Sequence, residues 1–192
     1  MRETLTGLIL AGGQGLRMGA RDKGLLAWRG QPLVAHVCAG LRPQVDGLLI
    51  SANRNLADYA AYGTVVPDDP VLGSYQGPLA GLASALPVAP AGWVLTWACD
   101  MPRVPADLAS RLLQAAQAAH APLAVAATQG RWQPVCMLAA TTLLPGLLDY
   151  LSRGERRVLG WLREAGAVAM DFDDQAEAFD NLNTPEDLAR EG

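Results

Sequence analysis

Histidine and cysteine are scarce in this sequence, with two of the first and three of the second among 192 residues. Cys38, Cys99 and Cys136 are widely spaced and odd in number, and together with His36 and His120 they make no zinc-ligand pattern. Reduced thiols are the expectation. Positive charge is not in excess either: the formal net charge is −4 and the isoelectric point lies near 5.1. No overall basic field exists to draw in nucleic acid, so any anion site must be local. Long hydrophobic runs are absent. The apolar run from Leu5 to Ala11 is too short for a signal h-region with its cleavage site, and no later stretch approaches a membrane span. A soluble, cytoplasmic protein with neither nucleic acid nor membrane as partner is expected.

What is present is Ala, Leu, Val and Gly, with 51% hydrophobic residues and 6% aromatic ones, a composition suited to helices packed closely on a mostly parallel sheet. The length suits one well-buried domain, taken as residues 1–192. Strands are expected at Leu5–Leu10, Gly47–Ala52, Thr64–Val66, Trp93–Ala98, Leu123–Ala127, Pro134–Leu138 and Val168–Phe172. Helices are expected at Pro32–Leu41, Leu56–Ala61, from about Gly77–Pro78, at Pro105–Ala119, Thr142–Ser152 and Arg156–Glu164, and from Thr184. Gln129-Gly130 is a candidate hairpin turn. This alternation predicts an α/β fold with a mostly parallel, doubly wound, Rossmann-like sheet flanked by helices on both faces. Such sheets bind ligands beyond the carboxyl ends of their strands. The polar clusters at Gly12–Lys23, Ser51–Asn53, Asp68–Asp69 and Asp100 all follow expected strands, so the fold would collect them on one rim.

The run Leu10-Ala11-Gly12-Gly13-Gln14-Gly15-Leu16-Arg17-Met18-Gly19, with Asp22-Lys23 beyond it, carries most of the information. Glycines let backbone N–H groups approach a polyphosphate, and Arg17, Arg21 and Lys23 set three positive charges against one from Asp22. Two better-known fingerprints fail. Gly13-x-Gly15 has no Gly at residue 18, and no G-K-[ST] follows at P-loop spacing. Asp100, at the end of an apolar strand, reads as a loop acceptor or N-cap, or as a metal ligand. No Ser-His or Cys-His arrangement is evident, and Cys99 reads as a buried small hydrophobe. The five tryptophans read as core or rim packing.

The loop resembles the L-A-G-G-x-x-x-R-M-G-x-x-K signature of glycosyltransferase-A-like nucleotidyltransferases, and in particular of the molybdenum cofactor guanylyltransferases. Gly77-Pro78-Leu79-Ala80-Gly81, Cys99-Asp100-Met101-Pro102, Gly154-Glu155-Arg156-Arg157 and Asn181-Leu182-Asn183-Thr184-Pro185-Glu186-Asp187-Leu188 resemble four further motifs of that family, in order. The resemblance therefore spans nearly the whole chain. It implies transfer of GMP from GTP to the terminal phosphate of molybdopterin, with release of pyrophosphate. It further implies a nucleotide-binding part at about residues 1–104 and an acceptor part at about 105–192.

By the same resemblance Lys23, Asp100 and Arg17 are the candidate catalytic residues, and Asp100 is the candidate ligand of Mg²⁺. Leu10, Ala11, Gly12, Gly13, Gly15, Lys23, Asn53, Asp68, Gly77, Pro78 and Leu79 are the candidate nucleotide contacts. Arg156, Arg157, Asn181 and Asn183 are assigned to molybdopterin, and transient contacts are implied with proteins that deliver it or mature molybdoenzymes. Some points stay open. Either Asp68 or Asp69 can match the family's acid, with Val-Val-Pro-Asp spacing favouring Asp68, and it can serve base or ribose. Ser51 stands where the family commonly shows Asn. Arg156 and Arg157 at an expected helix start suit either a bound anion or a solvated face. The alternatives are a cytidylyl or sugar-phosphate transferase, or a catalytically silent nucleotide-binding regulator.

Overall fold

Leu8 and Ile9 are neighbours in the first strand, β1 (Leu5–Leu10), and both are fully buried, yet they belong to different hydrophobic cores. Successive strand side chains leave opposite faces, so a strand buried on both must lie inside a sheet covered on each side by helices. The computed structural model, which describes residues 3–11, 22–73, 76–182 and 187, shows that arrangement.

The elements follow as β2 (Ala27–Trp28), β3 (Gln31–Pro32), α1 (Leu33–Leu41), β4 (Gly47–Ser51), α2 (Leu56–Ala60) and β5 (Thr64–Val66). Then come α3 (Pro78–Ala85), β6 (Trp93–Ala98), α4 (Leu108–Ala118), β7 (Leu123–Thr128) and β8 (Arg131–Ala140). The described chain continues through α5 (Leu144–Ser152), α6 (Val158–Glu164) and β9 (Val168–Asp171). Seven strands form one sheet in the order β5-β4-β1-β6-β8-β7-β9. Only β8 runs antiparallel to its neighbours, which makes the sheet mostly parallel, as expected. One face packs on α1 through Val34, Val37 and Leu41 and on α4 through Leu108 and Leu112. The other packs on Leu79 and Leu82 of α3, Leu147 and Leu151 of α5, and Trp161 and Leu162 of α6. No helix among the described residues is long and apolar enough to cross a membrane.

The chain builds β4 and β5 outward on one side of β1 and then returns to lay β6 on its other side. Adjacent crossovers therefore diverge beyond the end of β1, and this switch point is where an open α/β sheet leaves room for a ligand.

Local chemistry explains where expectation and structure differ. Gln129 and Gly130 both have positive φ (51° and 71°), the geometry of a two-residue turn that suits strand twist. The hairpin is thus tight, and β8 runs ten residues where Pro134–Leu138 was expected. A second small hairpin, β2–β3, turns at Arg29-Gly30 (φ 48° and 76°) and was not expected. The helix expected from Arg156 starts at Val158, because Arg157 is extended (φ −75°, ψ 113°). Of the helix expected from Thr184, only Asp187 is among the described residues, and it is helical.

Candidate active site

Strand register builds the rim. Leu10 of β1 pairs with Ser51 of β4 on one side and Ala98 of β6 on the other, and Ser51 in turn pairs with Val66 of β5. Four parallel strands therefore end in one row. Two residues past that row stand Asn53, Asp68 and Asp100, three of the residues singled out in the sequence. Gly12, their counterpart after β1, lies outside the described residues, as do Gly13, Gly15, Arg17 and Asn183. Leu10 and Ala11 are placed at the start of the rim, where the Ala11 amide donates to the Ser51 carbonyl at 2.9 Å.

Lys23 and Asp100 meet there. A 3₁₀ turn, Lys23–Leu25, follows the Gly-rich run, and the Lys23 ammonium Nζ lies 2.7 Å from Asp100 Oδ2. Both side chains are about one-fifth exposed, at 22% and 18%, so the pair is open to a ligand yet not fully solvated. Lys23 is also the single lysine of the chain. The turn carrying Asp100 is held firmly. The Cys99 amide donates to the Leu10 carbonyl at 3.1 Å, the Trp97 indole donates to the Met101 carbonyl at 2.6 Å, and the Leu182 amide donates to the Asp100 carbonyl at 2.9 Å. Cys99 is buried beneath, and burial, then Asp100 and Asp22, push its thiol well above the usual range. Burial followed by Asp100 does the same to Cys136. Both sulfurs stay protonated, which suits packing and not nucleophilic attack.

Asn53 and Asp68 are tied reciprocally: Asn53 Nδ2 donates to Asp68 Oδ2 at 2.7 Å, and the Asp68 amide donates to Asn53 Oδ1 at 2.8 Å. Asp68 is buried on the rim. Asp69 is exposed and turned away, its carboxylate accepting from the Val71 amide at 2.9 Å and its own amide donating to Ser84 Oγ. Ser51 is buried and packs against α3. A Cβ added to Gly81 would lie 2.5 Å from Ser51 Oγ, so the absence of a side chain at 81 is what lets α3 approach the sheet. Gly77 sits at φ 92°, ψ −176°, a conformation L residues avoid, and lets the chain turn into Pro78 at the head of the helix. Leu79 is fully buried behind that turn.

The acceptor-side candidates fall in two places. Asn181 is exposed directly before Leu182, so the backbone bond to Asp100 brings it to the turn that carries Asp100. The Arg156 guanidinium Nη1 donates to the carbonyls of Leu151 and Glu155, both at 2.7 Å, and Nε donates to Gln76 at 3.3 Å. Its charge thus caps the C-terminal end of α5, which the helix dipole favours, and it does not begin a helix as expected. Arg157 is exposed, and its carbonyl accepts from Tyr150. Through Gln76, Arg156 also reaches the segment that leads into Gly77.

A second set of residues was not foreseen. Asp22 counted in the sequence only as an offset to the cations of the loop, but its side chain is 3% exposed and bound by Tyr59, Asn55 and Arg54. Nothing local in the sequence marks this, since the partners follow the neighbouring strand, β4. Tryptophans follow the packing expectation: Trp97 and Trp161 are in the core, and Trp28 stacks edge-on with His36.

Comparison with known proteins gives the family and the fold. Residues 7–167 match the family profile "MobA-like NTP transferase domain". The chain is 44% identical to a molybdenum cofactor guanylyltransferase of Cupriavidus pinatubonensis, over 97% of this chain and 96% of that one. It is 43% identical to the enzyme of that name from Pasteurella multocida, over 98% and 99%. The fold superposes with a TM-score of 0.79 on the molybdopterin-guanine dinucleotide biosynthesis protein A of Archaeoglobus fulgidus, at 23% identity, covering 97% and 96% of the two chains.

Proposed function

Since this chain belongs to the molybdenum cofactor guanylyltransferases, within the MobA-like NTP transferases, we propose how its site performs their reaction. GMP passes from GTP to the terminal phosphate of molybdopterin, forming molybdopterin guanine dinucleotide and releasing pyrophosphate. The observation that carries the reading is the Lys23–Asp100 pair, one cation and one carboxylate 2.7 Å apart where β1 and β6 end together.

A phosphate monoester, whose second pKa is about 6, is already anionic at neutral pH and needs no general base. An acceptor oxygen forms a bond to the α-phosphorus while the bond from that phosphorus to the bridging oxygen of pyrophosphate breaks. The task of the protein is to position both substrates and to neutralise charge. Lys23 acts as a point charge on the phosphates, alongside Arg17 and the amides of the loop at Gly12, Gly13 and Gly15. Leu10, Ala11, Gly77, Pro78 and Leu79 frame the nucleoside. Asp68 contacts it with a carboxylate whose orientation Asn53 sets through two hydrogen bonds. Asp69 is spent on its own turn, which favours Asp68 for this role.

Asp100 suits Mg²⁺. It is a hard oxygen donor, and its carboxylate already faces a cation, the Lys23 ammonium. Asp100 would hold Mg²⁺, which when bound would supply charge neutralisation on the phosphates. Arg156, Arg157, Asn181 and Asn183 bind molybdopterin, so residues of about 105–192 serve the acceptor and those of about 1–104 the nucleotide. The reaction takes place in the cytoplasm, with transient contacts to proteins that supply molybdopterin or receive the finished cofactor.

The test is incubation with GTP labelled at the α-phosphate, Mg²⁺ and molybdopterin, followed by analysis of the pterin for bound guanylate. Transfer of label with stoichiometric pyrophosphate supports the reading. Labelling from CTP in preference to GTP would instead indicate a cytidylyl transferase, and nucleotide binding without transfer from either would indicate a silent nucleotide binder.

A further inference from the structure

Three consecutive residues after β4, Asn53, Arg54 and Asn55, reach in two directions. Asn53 holds Asp68 on the rim by its two side-chain hydrogen bonds. Arg54 and Asn55 instead reach the residue next to Lys23: Arg54 Nε lies 3.3 Å from Asp22 Oδ2, and Asn55 Nδ2 donates to the same oxygen at 2.9 Å. Tyr59, fully buried in α2, donates its hydroxyl to the other oxygen, Oδ1, at 2.5 Å. A buried carboxylate is costly unless its oxygens are satisfied by hydrogen bonds and a counter-charge, and here the two donors, Asn55 and Tyr59, and the counter-charge, Arg54, come from one short stretch, residues 54–59. Asn55 adopts a left-handed conformation (φ 50°, ψ 37°), which asparagine tolerates better than most residues.

The contact is also close in space. A Cβ added to Gly24 would meet the Tyr59 hydroxyl at 2.4 Å, so the chain from Asp22 to Gly24 lies directly over that ring. Asp22 and Lys23 are adjacent, but their side chains diverge: one is sunk among Arg54, Asn55 and Tyr59, the other extends to Asp100. Lysine is a flexible four-carbon stem, and where its ammonium spends its time depends on how firmly its backbone is held. We infer that Asp22 is a positioning residue for Lys23, anchored by Arg54, Asn55 and Tyr59 so that the ammonium is presented to the phosphate site, and that the 53–55 turn sets Lys23 and Asp68 together. This deepens the guanylyltransferase reading and rests on it for the reaction, not for the anchor.

Two variants test the anchor. Asp22→Asn keeps shape and removes the charge that faces Arg54. Asn55→Gly keeps the left-handed backbone, removes one donor at an exposed position, and so decides the matter should Asp22→Asn fail to fold. Thermal unfolding identifies the folded variants. In these, guanylyl transfer should lose about 10- to 100-fold in kcat, the loss expected of a misplaced charge, with KM for molybdopterin unchanged. In a Lys23→Ala background, Asp22→Asn should cause little further loss, because it acts through Lys23. Because Lys23 is the single lysine, acylation by an amine-reactive ester, followed by peptide mass analysis at residue 23, reads the anchor without any turnover. It should rise several-fold in both variants. Folded variants with wild-type kcat and wild-type acylation would overturn the inference, as would equal losses from Asp22→Asn with and without Lys23. If the wild-type protein transferred no guanylate, the functional reading would fail, while acylation of Lys23 would still judge the anchor.

Discussion

The amide of Leu182 donates to the carbonyl of Asp100 at 2.9 Å, which pins the segment after the last described 3₁₀ turn (Asp173–Phe179) to the strand end that carries the carboxylate paired with Lys23. Leu182 is 2% exposed and packs with Trp28 and Leu33, so one residue joins the β2–β3 hairpin, α1 and the site. Leu182→Ala removes a buried side chain and should lower stability by about 2–5 kcal/mol in denaturant unfolding. It should also raise KM for molybdopterin more than KM for GTP, since Asn181 depends on this anchor.

Asp100→Asn keeps the shape of the turn and gives up the charge that faces Lys23 and that would hold the proposed Mg²⁺. The variant should fold, with a thermal midpoint near wild type, and lose about 10²–10³ in single-turnover guanylyl transfer, comparable to the loss of a preorganised charge-stabilising group. Affinity for GTP without metal should hold or rise as repulsion between carboxylate and phosphate disappears. A Mg²⁺ titration of transfer decides it, and near-normal activity at an unchanged Mg²⁺ requirement would remove Asp100 from the metal site.

Arg156→Ala and Arg157→Ala together should weaken molybdopterin binding at least about tenfold, the loss of roughly one charge-assisted hydrogen bond, and leave GTP affinity nearly unchanged. Arg156→Ala alone should also lower stability by about 0.3–1 kcal/mol, because its cation satisfies the carbonyl end of α5. Calorimetry with each ligand separates the two effects. A defect confined to GTP would place these residues on the nucleotide side.

Burial raises the Cys38 thiol to about 11, partly offset by Arg42. Above pH 9 the unfolded chain releases this proton while the folded chain keeps it. The unfolded state then binds fewer protons, and stability falls as pH rises from about 9 to 11. Cys99 and Cys136, raised by burial as well, act in the same direction. Urea midpoints measured at pH 8, 9.5 and 11 should fall for the wild type, and the Cys38→Ala variant should show a shallower decline.

The sequence by itself determined the strands of the seven-stranded sheet, several to the residue, as at Thr64–Val66 and Trp93–Ala98, because apolar runs and turn residues act over a few positions. It also determined the family, through ordered motifs, and named Lys23 and Asp100. Only the tertiary structure decided that these two, 77 residues apart, lie 2.7 Å from each other, since strand order and register bring β1 and β6 side by side. It likewise separated Asp68 from Asp69, identical neighbours in the sequence, by the reach of Asn53 from the adjacent strand. Arg156 shows the limit most clearly. Its own segment suggested a cation misplaced at a helix start, whereas in space it serves the end of the preceding helix. Asp22, one more charge in a polar loop, acquired its burial from Arg54, Asn55 and Tyr59, which follow the adjacent strand. Periodicity and composition are local properties and are written along the chain. The pairing of charges depends on which strand ends the fold makes neighbours, and it becomes definite only when the sheet is assembled.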